Sequence, residues 1–563
     1  MNQKISALIL AAALSLAACA SPPAAPTATT AADVATAADV ATAVPAATVA
    51  PTEAPVVPTA RPEVILNVLL AGKPLSFNPL ASPLFTEELI SSLVHDTLVA
   101  YTPDGLSYEP RLAEKWVVSP DALKYTFTLR AGLTWSDGHP FTSDDVLFTY
   151  NLLANKAVSA QSGKLAGVKG VKEFSDGTSK TIAGFSAPDA TTFVIELAAP
   201  NGALVNALAW PFIGILPKHV LGDVPPDKLK AHPFMTAPTT GMGPFTFVRW
   251  KTDQYIEFVR NTRYRKDIKI DRVFMKEMLP EAAEIAMEKG ELDLAWVGAK
   301  GALRLAPVPN VVIVVGTNPG INLISARIES GPLSDVRVRQ ALLYAIDRKG
   351  IVNKVHVGRA QIVNTFNRTA GIDTSKLNSY EYNPEKAKEL LKEAKWDPDY
   401  VIEMKWIPGL SAERDQTNEI VQANWAAVGV KMELVPVERG LVLAAYKERT
   451  FGATAYGGGF YTADGDSVSV PVSCATRYPA GTNITHYCNQ EVEDLLIQAR
   501  GLSDVEARTA LYQKIAEITN ADVTNFWLNV TDNLVAHSRR LKGFVPYGLN
   551  GSQLLQITDF SLD

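Results

Sequence analysis

Residues 20–62 consist almost wholly of Ala, Pro, Thr and Val, and this composition confines folding to the rest of the chain. The segment contains no Leu, Ile or aromatic residue, and it repeats Ala-Ala-Asp-Val-Ala-Thr at residues 31–36 and 37–42. Such a stretch has too little apolar surface to offset the entropy lost on ordering. We therefore predict a disordered tether up to residue 62. The folded body of about 500 residues that follows is long enough for several domain-sized units.

The first residues have the pattern of an export signal. Lys4 precedes an apolar run over residues 5–17, which is shorter than the roughly 20 residues that a transmembrane helix needs. The run ends at Leu16-Ala17-Ala18-Cys19, which resembles the lipobox of bacterial lipoproteins. That resemblance implies a signal peptide over residues 1–18, cleavage before Cys19 and acylation of Cys19. An ordinary signal peptide is the alternative.

Two further cysteines, Cys474 and Cys488, flank a loop that contains Gly, Pro and Asn. In an exported protein whose Cys19 is acylated, these two thiols are predicted to form a disulfide. The alternative is a nucleophile pair of either cysteine with His486, which would require an orienting motif that the surrounding sequence does not show.

The body mixes strand and helix patterns. Residues 63–70 form a short apolar run, residues 124–130 and 191–197 alternate as half-buried strands do, and residues 245–250 and 255–259 suggest a hairpin. In the second half, cap residues predict helix starts at Ser334, Asn383 and the capping box that begins at Ser503. Strands at 402–406 and 431–437 lie between those helices, and this alternation favours an α/β fold.

Several classes of function are disfavoured by what the sequence lacks. The chain has 53 basic and 59 acidic residues, so it offers no basic excess for nucleic acid. It has no G-x-S-x-G, H-E-x-x-H or Walker motif, and its seven histidines are scattered without metal-ligand spacing. We therefore expect no cofactor, no bound metal and no enzymatic activity.

A series of short motifs between residues 63 and 550 resembles the large extracellular solute-binding proteins of ABC importers, the peptide/nickel class known as family 5. The order and number of the motifs carry the resemblance more than any single one. They are Phe77-Asn78-Pro79-Leu80, Tyr108 to Trp116, Tyr125 to Arg130, Leu133 to Gly138, Phe141 to Val146, Gly241 to Phe245, Asp335 to Ala341 and Tyr487 to Leu496.

The resemblance implies a two-lobed periplasmic-binding-protein fold (type II, cluster C-like) with an additional domain inserted in the first lobe. The expected divisions are a discontinuous lobe I over residues 63–82, 240–316 and 526–563, an inserted domain over 83–239, and lobe II over 317–525. The lobes would be joined by strands that cross near 316–318 and 525–535. Ligand would bind in the cleft between them.

The same resemblance implies the candidate ligand residues. In peptide-binding members an acidic residue that follows an aromatic residue in a glycine-rich segment binds the ligand's amino group, and residues 457–466 match that segment. Phe460 stands where the family usually has Trp, and the family's Asp-Pro dipeptide is absent, so either Asp464 or Asp466 could be the anchor. The complete set of candidates is Phe77, Asn78, Asn318, Trp406, Gly459, Phe460, Asp464 and Asp466.

The function implied is that of the substrate-binding component of an ABC importer, which captures oligopeptides or a similar polar solute and delivers it to a membrane permease. Alternatives within the class are an oligosaccharide, an opine or chelated nickel as ligand. A different class, an extracytoplasmic hydrolase, is the remaining alternative. The expected partners are the ligand, the permease and ATPase subunits, and the membrane through the lipid on Cys19. We expect a monomer at the extracytoplasmic face of the cell membrane.

Overall fold

The computed structural model describes residues 61–80, 85–159, 161–210, 213–316, 318, 320–369, 371–408, 411–459, 463–479, 481–547 and 554–563. The predicted signal peptide, Cys19 and residues 20–60 of the predicted tether lie outside these residues, as does Phe460. Residues 62–563 form one compact unit.

The strands and helices of this unit alternate along the chain. The strands are β1 (Ile65–Leu70), β2 (Val99–Tyr101), β3 (Tyr108–Pro110), β4 (Ala113–Val118), β5 (Lys124–Leu129), β6 (Phe185–Asp189), β7 (Thr192–Glu196), β8 (Phe245–Lys251), β9 (Tyr255–Arg260), β10 (Arg272–Glu277), β11 (Leu294–Trp296), β12 (Val311–Gly316), β13 (Gly320–Ala326), β14 (Ala360–Ile362), β15 (Val401–Trp406), β16 (Lys431–Pro436), β17 (Ala453–Gly459), β18 (Phe526–Thr531), β19 (Asn533–Ser538), β20 (Leu541–Lys542) and β21 (Ser561–Leu562). The helices are α1 (Phe85–Val94), α2 (Ser143–Ala154), α3 (Val171–Ser175), α4 (Leu204–Leu208), α5 (Lys218–Leu221), α6 (Pro280–Glu288), α7 (Ala299–Leu305), α8 (Val336–Tyr344), α9 (Arg348–Lys354), α10 (Pro384–Glu393), α11 (Ala412–Ala426), α12 (Arg439–Glu448), α13 (Ser469–Val472), α14 (Gln490–Arg500) and α15 (Val505–Ala521).

A seven-stranded sheet has the order β12-β19-β11-β1-β10-β9-β8. It brings together strands from the beginning, the middle and the C-terminal part of the described residues. The predicted hairpin is present, with β8 antiparallel to β9. Helix α1 buries Leu89, Ile90 and Leu93 in the core of this sheet. By its packing α1 therefore belongs with this sheet, although we expected residues 83–239 to belong to the inserted domain.

A six-stranded sheet has the order β14-β18-β13-β17-β15-β16 and is flanked by helices, which confirms the α/β prediction. Among the strands that the structure describes, the chain passes between the two large sheets twice, once between the end of β12 and the start of β13 and again at Asp532 between β18 and β19. The boundary expected at residue 526 differs from the structure. Strand β18 pairs with β13 and β14 of the six-stranded sheet, so the change of sheet falls after Thr531.

A four-stranded antiparallel sheet, β4-β5-β7-β6, has a separate core within residues 80–242. Its strands alternate as the sequence predicted, because Tyr125, Phe127 and Leu129 of β5 are all buried on one face. Residues 135–138 form a turn. Gly138 adopts φ +94°, and its N–H donates to the Trp135 carbonyl at 2.8 Å.

Two of the three helix starts lie one residue after the expected cap. Asn383 caps α10 as predicted. Helix α8 is capped by Asp335 rather than Ser334, and α15 by Asp504 rather than Ser503. In both cases a Ser-Asp pair offers two good caps in succession, and the carboxylate accepts the amide of the first turn.

Cys474 and Cys488 are joined by a disulfide, the pair expected from the sequence. It links a short 3-10 turn to the start of α14. Glu493 of α14 strengthens the same junction by accepting from the Ser473 hydroxyl and from the Cys474 amide. Among the helices that the structure describes, none combines the length and the apolar character that crossing a bilayer would require.

Candidate ligand-binding cleft

The glycine-rich segment forms the end of β17 and lies inside the six-stranded sheet. Gly457, Gly458 and Gly459 pair with Asn322, Ile321 and Gly320 of β13. Gly459 is therefore placed next to the first chain crossing between the two large sheets. The turn that carries the two candidate aspartates comes shortly after it.

Both candidate aspartates form ion pairs with arginines. Asp464 is 6% exposed, pairs with Arg508 of α15, and also accepts the Asp466 amide at 2.9 Å. Asp466 accepts two hydrogen bonds from Arg500 of α14, at 2.8 and 3.2 Å. Burial raises the pKa of Asp466, and the Arg500 charge opposes the rise. A ligand amino group would have to compete with an arginine at either carboxylate, so the anchoring role stays a prediction for both.

Phe77 and Asn78 are both buried beneath the first sheet. Phe77 is 3% exposed, and its ring packs against Phe247 and Trp250 at centroid distances of 5.4 and 5.6 Å. Asn78 is 1% exposed and accepts the Leu80 amide at 2.9 Å. These contacts give both residues a structural role in this conformation, and ligand contact by either remains a prediction.

Asn318 connects the two chain crossings. Its Nδ2 donates to Thr531 Oγ1 at 3.0 Å, and its Oδ1 accepts the Gly320 amide at 2.8 Å. Trp406, at the end of β15, is half-buried, and its Nε1 has no hydrogen-bond partner among the described residues. Asn318 therefore joins the two segments that connect the sheets, whereas Trp406 leaves a donor unused near the edge of the second sheet.

A cavity of about 260 Å³ lies between the two large sheets at these crossings. One wall comes from the loop between β11 and α7 together with β19, and the other comes from β13, β18, α11 and the segment after α9. The lining residues are Val297, Gly298, Ala299, Leu534, Asn322, Leu323, His356, Arg359, Ser411, Glu413, Arg414, Thr417, Asn418, Leu528, Thr531 and Asp532. A ligand in this cavity would contact both sheets at once.

The first turn of α11 presents polar groups to the cavity. Ser411 caps the helix by accepting the Arg414 amide, and its hydroxyl donates to Glu413 at 2.8 Å. Burial raises the pKa of Glu413, but the Ser411 hydrogen bond and the neighbouring His356 outweigh it, so the pKa is lowered overall. The half-buried Arg414 side chain forms no hydrogen bond or ion pair with any other residue that the structure describes. Arg414 is therefore a cation available to a ligand.

The other charges at the cavity partly balance each other. Arg359 lies 3.8 Å from Asp532, and the Asp532 amide donates to the Arg359 carbonyl at 3.0 Å. Burial lowers the pKa of His356, and the Glu413 charge opposes that shift. Among the lining residues that the structure describes, Arg414 therefore adds a cation without a protein partner, whereas Arg359 and Asp532 offset each other.

None of residues 411–418 was singled out from the sequence, although one signal pointed to them. Strand β15 is parallel to β16, and α11 is the helix that connects them. In α/β sheets, ligands bind beyond the carboxyl ends of the strands. The carboxyl end of β15 at Trp406 is such an end, so the expected strands at 402–406 and 431–437 already implied a site near it.

Two large sheets joined by two crossings, with a cavity between them, define a solute-binding protein of the two-lobed periplasmic type. The chain belongs to the bacterial extracellular solute-binding proteins, family 5, because the family model for the middle part of these proteins matches residues 107–479. The match covers more than half of the chain and includes the four-stranded sheet and the glycine-rich strand.

Similar proteins agree with this assignment. The chain is 28% identical over 484 residues to a putative ABC transporter peptide-binding protein of Brucella ovis, covering 84% of this chain and 87% of the relative. It is 28% identical over 505 residues to heme-binding protein A of Haemophilus influenzae, covering 85% of this chain and 89% of that protein. The solved structure of the oligopeptide-binding protein AppA of Bacillus subtilis with a nonapeptide shares the fold, with a TM-score of 0.73, 24% identity, and coverage of 89% and 100%.

Proposed function

We propose that this protein is the substrate-binding component of an ABC importer, and that it captures an oligopeptide or a similar polar solute in the cavity between its two large sheets. The observation that carries the proposal is the position of the cavity. It is lined by both sheets next to both chain crossings, where closure of the sheets about the crossings would bury a ligand.

The peptide preference is supported by the names of relatives and by the chemistry of the cavity. The Brucella relative is described as peptide-binding, and AppA was solved with a nonapeptide. In the cavity, Arg414 offers a charged donor, and Ser411, Thr417 and Asn418 offer polar side-chain groups. A peptide's carboxylate and amides would match these groups.

The proposal includes the setting of the protein. Residues 1–18 would be removed, Cys19 would be acylated, and the tether would hold the folded unit at the extracytoplasmic face of the membrane as a monomer. The partners would be a permease and an ATPase. The proposed division into two lobes and an inserted domain follows the three largest sheets, with the lobe boundary at Asp532.

Ligand-dependent stabilisation tests the proposal. The purified full chain would be screened by thermal unfolding against peptides of two to nine residues, an oligosaccharide, an opine and nickel chelated by histidine. We expect peptides to raise the melting temperature without being cleaved, because a ligand that binds only the folded state stabilises it. Native mass spectrometry would identify any ligand that co-purifies.

The Arg414→Ala variant connects the test to the cavity. We expect weaker binding of the stabilising ligand, while Lys388→Ala on the exposed face of α10 serves as the matched control. Stabilisation by the sugar alone would replace the peptide assignment by another solute. Steady cleavage of peptides would replace the binding function by the hydrolase alternative.

A further inference from the structure

Three side chains of types that commonly bind metals lie close together on the surface of the four-stranded-sheet unit, whose core lies within residues 80–242. Asp137 and His139 lie on either side of the Gly138 turn, and His219 lies far away in the sequence on α5. One ligand atom from each of the three lies within 4.8 Å of the other two. His219 Nε2 is 2.9 Å from Asp137 Oδ2, and the rings of His139 and His219 are parallel, with centroids 4.2 Å apart.

Buried neighbours fix the positions of these groups. The Asp137 amide donates to Thr240 Oγ1 at 3.3 Å, and the His139 amide donates to Asp137 Oδ1 at 3.0 Å. The His219 ring packs edge-on against the fully buried Trp135 at a centroid distance of 5.6 Å. The same Trp135 accepts the Gly138 amide that closes the turn. The turn and the helix are therefore held together before any ion arrives.

The donor set is selective in its chemistry. Two imidazoles and one carboxylate suit Zn²⁺ and its neighbours among the divalent transition metals, whereas Mg²⁺ and Ca²⁺ prefer oxygen ligands alone. We propose that Asp137, His139 and His219 form a surface binding site for a divalent transition-metal ion, with water completing its coordination. This site is separate from the cavity between the large sheets, so it does not depend on the proposed transport function.

One neighbouring charge limits the affinity. The Arg263 guanidinium lies against the same turn, 3.4 Å from where a Cβ on Gly138 would be. A fixed positive charge at that position repels a divalent ion. Removing it should strengthen ion binding, an effect that a purely structural role of the histidines would not produce.

The test measures Zn²⁺ binding to the full chain without a polyhistidine tag, by isothermal titration after treatment with a chelator. We expect one ion per chain, and Co²⁺ in its place should give a visible absorption band. His139→Ala and His219→Ala should each weaken binding by at least about tenfold, since even changes to outer-shell groups have effects of that size. Arg263→Gln should strengthen binding several-fold. His232→Gln, in the same unit but outside the cluster, is the matched control.

His139 is exposed, so His139→Ala leaves the Trp135 contact of His219 intact and provides a folded variant if His219→Ala is unstable. Unchanged Zn²⁺ affinity in His139→Ala would place the ion elsewhere and overturn the proposal. The same conclusion would follow if the unaltered chain showed no saturable binding up to about 1 mM Zn²⁺, or if Arg263→Gln bound Zn²⁺ no more tightly.

Discussion

The Asp464–Arg508 pair places two opposite charges inside the protein, with side chains that are 7% and 2% exposed. Arg508 also interacts electrostatically with Tyr125 of the four-stranded sheet. Burial raises the pKa of Tyr125 to about 12, and the Arg508 charge opposes that rise. A buried charge that loses its partner keeps its cost of desolvation. The intact pair therefore adds little net stability, whereas the loss of one partner is costly.

We predict that Asp464→Asn lowers the free energy of unfolding by about 3–5 kcal/mol, because Arg508 is left as an uncompensated buried charge. Asp466→Asn should have a smaller effect, since Arg500 is 30% exposed and water can solvate it. Urea unfolding of both variants measures the difference. Equal losses of unfolding free energy in the two variants would contradict the explanation that the loss depends on how deeply the partner arginine is buried.

A double replacement separates charge from packing. Asp464→Leu together with Arg508→Met removes both charges, so we expect it to be more stable than Asp464→Asn alone. If the double variant is the less stable of the two, the charge explanation is wrong. Neither aspartate's partner was visible in the sequence, because Arg500 and Arg508 lie on helices that only the tertiary fold brings alongside.

At the scale of the elements, the local sequence predicted the presence of helices and strands more accurately than it predicted their first residues. The hairpin of β8 and β9 and the cap at Asn383 match the expectations. The caps at Ser334 and Ser503 were each wrong by one residue, because serine and aspartate compete for the same first-turn amides. Residues 411–418 and the His139–His219 pair depend on contacts between distant elements, which local patterns do not encode.

The corrected cap of α15 gives a paired prediction. Asp504→Ala should lower stability by about 1 kcal/mol, because the Asp504 carboxylate accepts the Ala507 amide at 2.7 Å. Ser503→Ala should change stability by less than half of that amount. Thermal unfolding of both variants checks the order, and a larger effect of Ser503→Ala would restore the original assignment.

The disulfide at the start of α14 gives a second prediction at this scale. Replacing Cys474 and Cys488 together by Ser should lower the free energy of unfolding by about 3 kcal/mol, because the closed loop of about 15 residues restricts the unfolded chain. Urea unfolding compares the variant with the parent. The parent measured under reducing conditions is the control and should lose a similar amount.

At the scale of the whole molecule, buried histidines make stability depend on pH. Burial lowers the pKa of His95 to about 4 and also lowers the pKa values of His356 and His537. An unfolded histidine has a pKa near 6.5 and takes up a proton before the folded one does. The contribution of these histidines to the free energy of unfolding is therefore fully present above about pH 6.5 and is lost as the pH falls toward 4.

We predict that His95 alone removes about 2 kcal/mol of stability between pH 7.5 and pH 5.0. The slope of the unfolding free energy against pH, measured by urea unfolding, should become shallower in His95→Gln. The absolute stability of the variant does not matter for this comparison. An unchanged slope would mean that His95 is not responsible.

Gly202 lies at a close contact between the four-stranded-sheet unit and the helices of the second sheet. Its amide donates to the Arg500 carbonyl at 2.9 Å, and a Cβ at this position would lie 2.1 Å from the Leu502 carbonyl oxygen. Gly202→Ala should disfavour this arrangement. If the population of the binding-competent form falls by a factor of about ten, the apparent affinity for ligand falls by the same factor. Gly163→Ala, with no atom within 4 Å of the added Cβ, is the control. Equal affinity in both variants would separate this contact from ligand capture.

The hydrogen bond between Asn318 and Thr531 ties together the only two places where the described chain passes from one large sheet to the other. Two connections held at a fixed distance from each other define an axis. The sheets can rotate about this axis, whereas sliding or twisting of one sheet against the other is resisted. We therefore expect the sheets to move relative to each other with essentially one degree of freedom. Ligands of different length would then be accommodated by the angle at which that rotation stops, rather than by several distinct closed forms.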